Sequence, residues 1–165
     1  TAFSSAPEVT STHPPPIPAV ASSAPRPPLA FNDPENEARY QAAEKALGEL
    51  LSMPTSIAKG KPEDLEAARL RCVTAMKQAS TLEGEPHPTV KELVARMQRA
   101  CLYDRPLASL RAQIVRIAAA RKQSGKAPLS LCKEAAITVK EIVDAQYGDD
   151  ESMSAEMAKL GALCI

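Results

Sequence analysis

The sequence predicts an all-α protein. The expected architecture is an array of about three antiparallel helical hairpins, solenoid-like, over residues 34–165, preceded by an extended proline-rich arm over residues 1–33. Three observations carry this expectation. The chain is rich in Ala, Leu, Lys, Glu and Arg but has no Trp, two Phe and three Tyr, which favours helices over a sheet built on aromatic and β-branched residues. Nine of its fifteen prolines lie before residue 35. Beyond them, apolar residues recur at helical spacing between Pro and Gly breaks.

The arm comes first. THPPPIPAVASSAPRPP, residues 12–28, cannot form a hydrogen-bonded helix and favours extended polyproline conformations. Its order is expected to come from a neighbouring subunit, with Phe3, Val9, Ile17, Val20 and Phe31 as the apolar anchors. Pro15-Pro16-Ile17-Pro18 also contains the P-x-x-P core of an SH3 ligand, without the flanking cation that usually orients one. The first residue is Thr, and no Lys or Arg precedes Arg26. That fits a mature chain whose presequence has been removed, and points to the mitochondrial matrix.

Six helices are expected after the arm. Asp33 before Pro34 makes an N-cap with proline at the first helical position. Tyr40, Ala43, Leu47 and Leu50 then share a face until Met53-Pro54. The second helix starts at Lys61-Pro62 and carries Leu65, Ala68, Cys72, Met76 and Ala79. After Gly84-Glu85-Pro86-His87-Pro88 a third begins near Thr89, with Val90, Leu93, Val94, Met97 and Cys101 inward. Arg105-Pro106 is expected to interrupt it, and Leu107, Leu110, Ile114, Ile117 and Arg121 mark a fourth. A fifth follows Pro128, with Leu129, Cys132, Ala136, Val139, Ile142 and Val143 inward, and a short sixth opens at Glu151 with Met153, Met157 and Leu160. The pair at 65–101 overlays the pair at 107–145, Leu65 meeting Leu107, so an internal repeat is one expectation.

Cysteines stand singly at 72, 101, 132 and 164, with no C-x-x-C and no Cys–His spacing suited to zinc. They are expected to be small buried thiols at helix contacts in a reducing compartment, not a disulfide framework. No run of 18 apolar residues could span a membrane. Phosphate-binding, nucleophile-elbow and zinc-protease signatures are absent, and with only His13 and His87 a catalytic pair has little to work with. No catalytic residue, cofactor or metal ligand is expected.

Charge balances at 20 basic and 20 acidic residues but segregates locally. Arg96, Arg99, Arg111, Arg116, Arg121 and Lys122 form a candidate basic patch, while residues 133–156 are mainly acidic. The two sets either attract each other across neighbouring helices, meet an acidic protein partner, or offer a basic groove to RNA phosphates. Only Tyr103 lies near the patch as a stacking aromatic, so RNA is not favoured.

One stretch, LEAARLRCVTAMKQASTLEGEPHPTVKELV, resembles a unit of the pentatricopeptide repeat (PPR) family. The matching residues are Leu65, Glu66, Ala67 or Ala68, Met76, Lys77, Gly84, Pro86, Thr89, Leu93 and Val94. Base-reading positions of the family fall on Lys91 and, less regularly, His87, neither of the usual type. The resemblance therefore implies a helical scaffold for protein contacts whose RNA code is lost. The description is also similar to the small PPR-like accessory subunits on the catalytic head of euglenozoan mitochondrial ATP synthase. That likeness implies a non-catalytic subunit bound to other protein subunits of a large complex. The alternative is an RNA-associated helical-repeat protein of an organellar ribosome or RNA-processing complex.

Overall fold

A computed structural model of the protein describes Phe31 and residues 34–165. Among these residues every regular element is helical. The helices are α1 (Glu35–Leu51), the short α2 (Met53–Ile57), α3 (Pro62–Ser80), α4 (Pro88–Arg99), α5 (Arg105–Ser124), α6 (Leu129–Asp144) and α7 (Glu151–Leu163), with a π-turn over Ala100–Asp104.

The prolines set the starts. Pro62 and Pro88 each occupy the first turn of a helix, where a missing N–H costs nothing. Pro128 precedes Leu129 in extended conformation at the N-cap of α6. Asp33, expected to cap α1, lies outside the described residues. Stops follow the rules for left-handed residues. Gly125 ends α5 at φ 76°, its N–H donating to the Arg121 carbonyl at 2.7 Å. Gln146 ends α6 at φ 66°, with the Tyr147 N–H reaching back to the Ile142 carbonyl and the Gln146 N–H to Val143.

Arg105-Pro106 does not interrupt the chain. Residues 88–124 run as a continuous helical rod, α4 passing through the π-turn into α5. The π-turn explains how. Proline inside a regular α-helix loses a hydrogen bond and collides with the carbonyl four residues back. Here the Arg105 N–H donates to the Ala100 carbonyl, five residues back, and Pro106 enters as the first turn of a new helical register. The expected third and fourth helices are thus one element, and the expected array of three hairpins is not confirmed.

Two small bundles share this rod. In the first, α1 packs against α3 and α4, and α2 against α3 and α5. Its core includes Ala43, Leu50, Met53, Ile57, Leu82, Val90 and Met97, all essentially inaccessible. Buried Glu85, in the loop before α4, accepts a 2.9 Å hydrogen bond from the Asn36 amide of α1. In the second bundle, α6 and α7 pack on α5 around Leu107, Leu110, Ile114, Ile117, Ala135, Ile142, Met153 and Leu160.

The cysteines are not free thiols. Cys72 of α3 is bonded to Cys101 of the π-turn, and Cys132 of α6 to Cys164 just after α7. The Cα separations are 5.3 and 5.9 Å, inside the range a disulfide spans without moving the backbone. The expectation of reduced cysteines fails because burial and bonding leave the same trace in sequence: a small residue on an inward helix face. Each bond ties two elements of one bundle, so the first staples α3 to the rod and the second α6 to the C-terminus.

The inward face of α6 also differs from expectation. Ala135, Thr138 and Ile142 are buried, with Leu131, Cys132 and Val139 packed beside them. Leu129 and Ala136 are exposed, and Val143 is 54% exposed. Apolar residues occupy a broad arc of this helix, so periodicity admits two stripes about one position apart. Packing on α5 and the bond to Cys164 select the other one, and leave Ile137 uncovered.

Candidate binding groove

A trough lies between α3 and α6, floored by the π-turn and α5. Each side comes from one face of one helix. From α3 come Leu65, Glu66, Arg69, Cys72, Val73 and Met76. The floor comprises Cys101, Leu102, Arg105, Pro106, Ser109 and Gln113. From α6 come Glu134, Ile137, Thr138, Glu141, Asp144 and Ala145. Two cavities of 660 and 410 Å³ make it up, sharing Arg69 and Glu141 in their walls. The π-turn is what builds the floor, because it carries the bonded Cys101 and the exposed Leu102 side by side.

Apolar side chains stand open along both walls: Val73 is 57% exposed and Ile137 62%. Between them lies a mixed charge system. Arg69 donates to Glu66 at 2.6 and 2.9 Å, and Arg105 pairs with Glu141. The Arg69 hydrogen bond, with lesser help from the Arg69 and Arg105 charges, holds the Glu66 carboxyl below the usual carboxylate range. Glu66, aided by the Glu141 charge, holds Arg69 above its ordinary value. Beneath, three polar atoms have no hydrogen-bond partner: Arg105 Nε, Ser109 Oγ and Gln113 Oε1. All three residues are at least nine-tenths buried.

No group of three His, Cys, Asp or Glu among the described residues could hold a metal ion. No His lines the trough. His87 serves α4, its Nδ1 accepting the Thr89 N–H at 3.2 Å as an N-cap. No trough residue is among the site residues that the sequence suggests, although Leu65, Cys72, Met76 and Cys101 lie on its expected inward helix faces. Ile137 and Val73 lie away from the buried stripes of α6 and α3, but in sequence an apolar residue there looks like one of the core.

Four of the six expected basic-patch residues are engaged within the chain. Arg99 lies 4.2 Å over the Tyr103 ring and 3.9 Å from Asp104. Arg111 pairs with buried Glu156 at 3.4 Å, and Arg116 with Glu134 at 3.6 Å. Arg121 donates to the Ala162 and Leu163 carbonyls, capping the end of α7. Arg96 and Lys122 are exposed, with no ion pair among the described residues. Attraction between neighbouring helices thus engages two of the six patch residues, Arg111 and Arg116.

Of the arm anchors, Phe31 is half-buried, its ring 5.8 Å from Tyr40 and 6.4 Å from His87. Phe3, Val9, Ile17 and Val20 lie outside the described residues. No helix among the described residues is long and apolar enough to cross a membrane. Comparison with protein-family models, with curated proteins and with solved structures finds no match for this chain.

Proposed function

We propose that the protein is a non-catalytic accessory subunit of a larger protein assembly, holding a neighbouring subunit in the trough between α3 and α6. The open trough carries this reading, with Val73, Leu102 and Ile137 uncovered above a floor of buried polar atoms that lack partners. Isolated exposed apolar residues are ordinary, but apolar residues gathered in one depression with a few placed polar groups are the usual form of an interaction site. The RNA reading loses support in proportion, since four of the six patch residues are engaged by carboxylates or carbonyls of the same chain.

The PPR resemblance points to mitochondrial ATP synthase as one assembly to test. Its catalytic head faces the matrix, a thiol-reducing compartment, whereas two disulfides favour an oxidising one. Of the two considerations the disulfides weigh more, because they rest on all four cysteines and the resemblance on a short stretch.

Gentle native purification tests the reading. The expected result is a stable, stoichiometric protein partner, with no thiol accessible to alkylation before reduction. A chain that purifies alone as a monomer overturns it.

A further inference from the structure

We propose that the Cys132–Cys164 disulfide is a site of thiol–disulfide exchange with a dithiol, and that its reduction releases the segment Gly161–Ile165 while the Cys72–Cys101 bond holds. This is independent of what the trough binds. Exchange begins when a thiolate reaches one sulfur of the existing bond, so access separates a labile disulfide from a structural one. Cys72 and Cys101 border the trough, yet are only 5% and 2% exposed. Both are flanked along the chain by buried residues, Ala68 and Ala75 on α3, Ala100 and Tyr103 in the π-turn. Exposing that bond to a reagent means loosening the first bundle. Cys132 and Cys164 are instead partly exposed, packed at the margin of the second core.

What the second bond holds is the end of α7. Upstream, the helix is seated by Met153, Glu156 and Leu160, all buried, and capped by Asp150. From Gly161 onward no residue is buried: Gly161, Ala162 and Ile165 are exposed, Leu163 and Cys164 partly so. Outside the helix's own ladder, the Arg121 guanidinium donates to the Ala162 and Leu163 carbonyls at 3.1 and 3.3 Å, and the Cys164 N–H to Leu160 at 3.0 Å. The Arg121 bonds are exposed, and exposed hydrogen bonds contribute little because water replaces them. Against them stands the backbone entropy regained by the freed segment, enlarged by Gly161, which has open space around it. The last turn therefore stays seated only while the bond is closed. Reduction also lowers global stability through the unfolded chain, but the native change is confined to this turn.

In the exchange, one thiolate of the dithiol attacks Cys164 Sγ and forms a mixed disulfide. The electron pair of the broken bond leaves on Cys132 Sγ, which takes up a proton. The second sulfur of the dithiol, as thiolate, then attacks the first, closing a disulfide in the reagent. Cys164 leaves as a thiolate and is protonated in turn. The protein gains two electrons and two protons, and the dithiol loses both.

The test treats the oxidised full chain with dithiothreitol in native buffer, blocks thiols with iodoacetamide over a time course and maps the labelled peptides. Label is expected at Cys132 and Cys164 about tenfold or more ahead of Cys72 and Cys101, with the difference lost in urea, where burial no longer protects. Hydrogen exchange on the half-reduced chain should show protection lost at the amides of 161–164 and kept over 153–160. The double variant Cys132→Ser/Cys164→Ser should give the same exchange pattern without reductant. Labelling of Cys72 and Cys101 first, of all four together, or of none until the chain unfolds overturns the assignment of the labile bond. Amides of 161–164 as protected after reduction as before, or protection stripped from the whole of α7, overturns the release.

Discussion

Arg105 and Glu141 form the ion pair that ties the start of α5 to the last turns of α6, with the Arg105 side chain 9% exposed and Glu141 31%. The Arg105 Nε has no partner beside it, so the guanidinium depends on Glu141 for most of its compensation. Replacing Glu141 by Gln should destabilise by about 2 kcal/mol, below the range for fully buried pairs because water still reaches the carboxylate. Arg105→Met should cost less, since it removes the buried charge and leaves the better-solvated one. Urea melts of the two variants give the comparison; equal costs would mean the pair contributes only as a surface bridge.

Each disulfide should matter on the scale of half the stability of an ordinary domain. Sequence separations of 29 and 32 residues correspond to about 3–4 kcal/mol each from lost chain entropy. Cys72→Ala/Cys101→Ala and Cys132→Ala/Cys164→Ala should each lower the denaturation midpoint, and reduction of the parent should lower it further. Mapping of tryptic peptides under non-reducing conditions should recover the two pairings and no others.

Three glycines and one glutamine separate backbone strain from close packing. Gly60 combines φ 69° with a Cβ position only 3.2 Å from the Ala112 carbonyl oxygen of α5. Gly60→Ala should therefore cost more than the about 1 kcal/mol of a left-handed residue alone. Gly125→Ala, with the same sign of φ but open space around it, should cost about 1 kcal/mol. Gly48→Ala, inside α1 with nothing nearby, should instead stabilise by about 0.8 kcal/mol. Gln146→Gly should stabilise by about 0.5–1 kcal/mol, because it relieves the only non-glycine residue with positive φ among those described. Thermal melts read all four, and the order Gly60, Gly125, Gly48 is the decisive outcome.

Tyr103 and Asp150 link the π-turn to α7 in a pH-dependent way. The Tyr103 hydroxyl donates to Asp150 at 2.8 Å, and the same carboxylate caps α7 by accepting the Met153 N–H at 3.1 Å. Both bonds, the tyrosine's first, hold Asp150 below its ordinary value. The same bond, with burial second, raises the Tyr103 hydroxyl. A depressed carboxyl contributes stability above its unfolded pKa and loses it as pH falls through the folded one. A raised phenol contributes below its unfolded pKa and loses it as pH rises through the folded one. Both flanks of the stability profile should flatten in Tyr103→Phe, whereas Asp150→Asn should also lose helix capping at neutral pH. Circular dichroism melts between acid and alkaline pH would show it.

Much of the helical framework was legible in the sequence. Pro62, Pro88, Pro128 and the Asp150-Glu151 start each open a helix where local rules place one, because capping and proline geometry act within a few residues. Pro106 misled for a tertiary reason. Tyr103 packs edge-on against Tyr147 at 5.2 Å and Cys101 is bonded to Cys72, so contacts from both bundles hold the π-turn that makes the proline acceptable. Cysteine pairing was hidden because four residues allow three connectivities and the choice depends on which helices become neighbours. The trough was hidden because Val73 and Ile137 carry the same apolar signal as a core residue, and only the packing of α3 and α6 shows them facing outward.

The order of the disulfides along the chain bears on how the molecule is made. Cys72 bonds to the next cysteine, Cys101, and Cys132 to the next after that, Cys164, so the two loops are consecutive, neither nested nor crossed. A chain emerging from its N-terminus into an oxidising space exposes the first pair before the second exists. Oxidation in order of appearance therefore yields the native bonds, and an enzyme that reshuffles mispaired cysteines has little to correct.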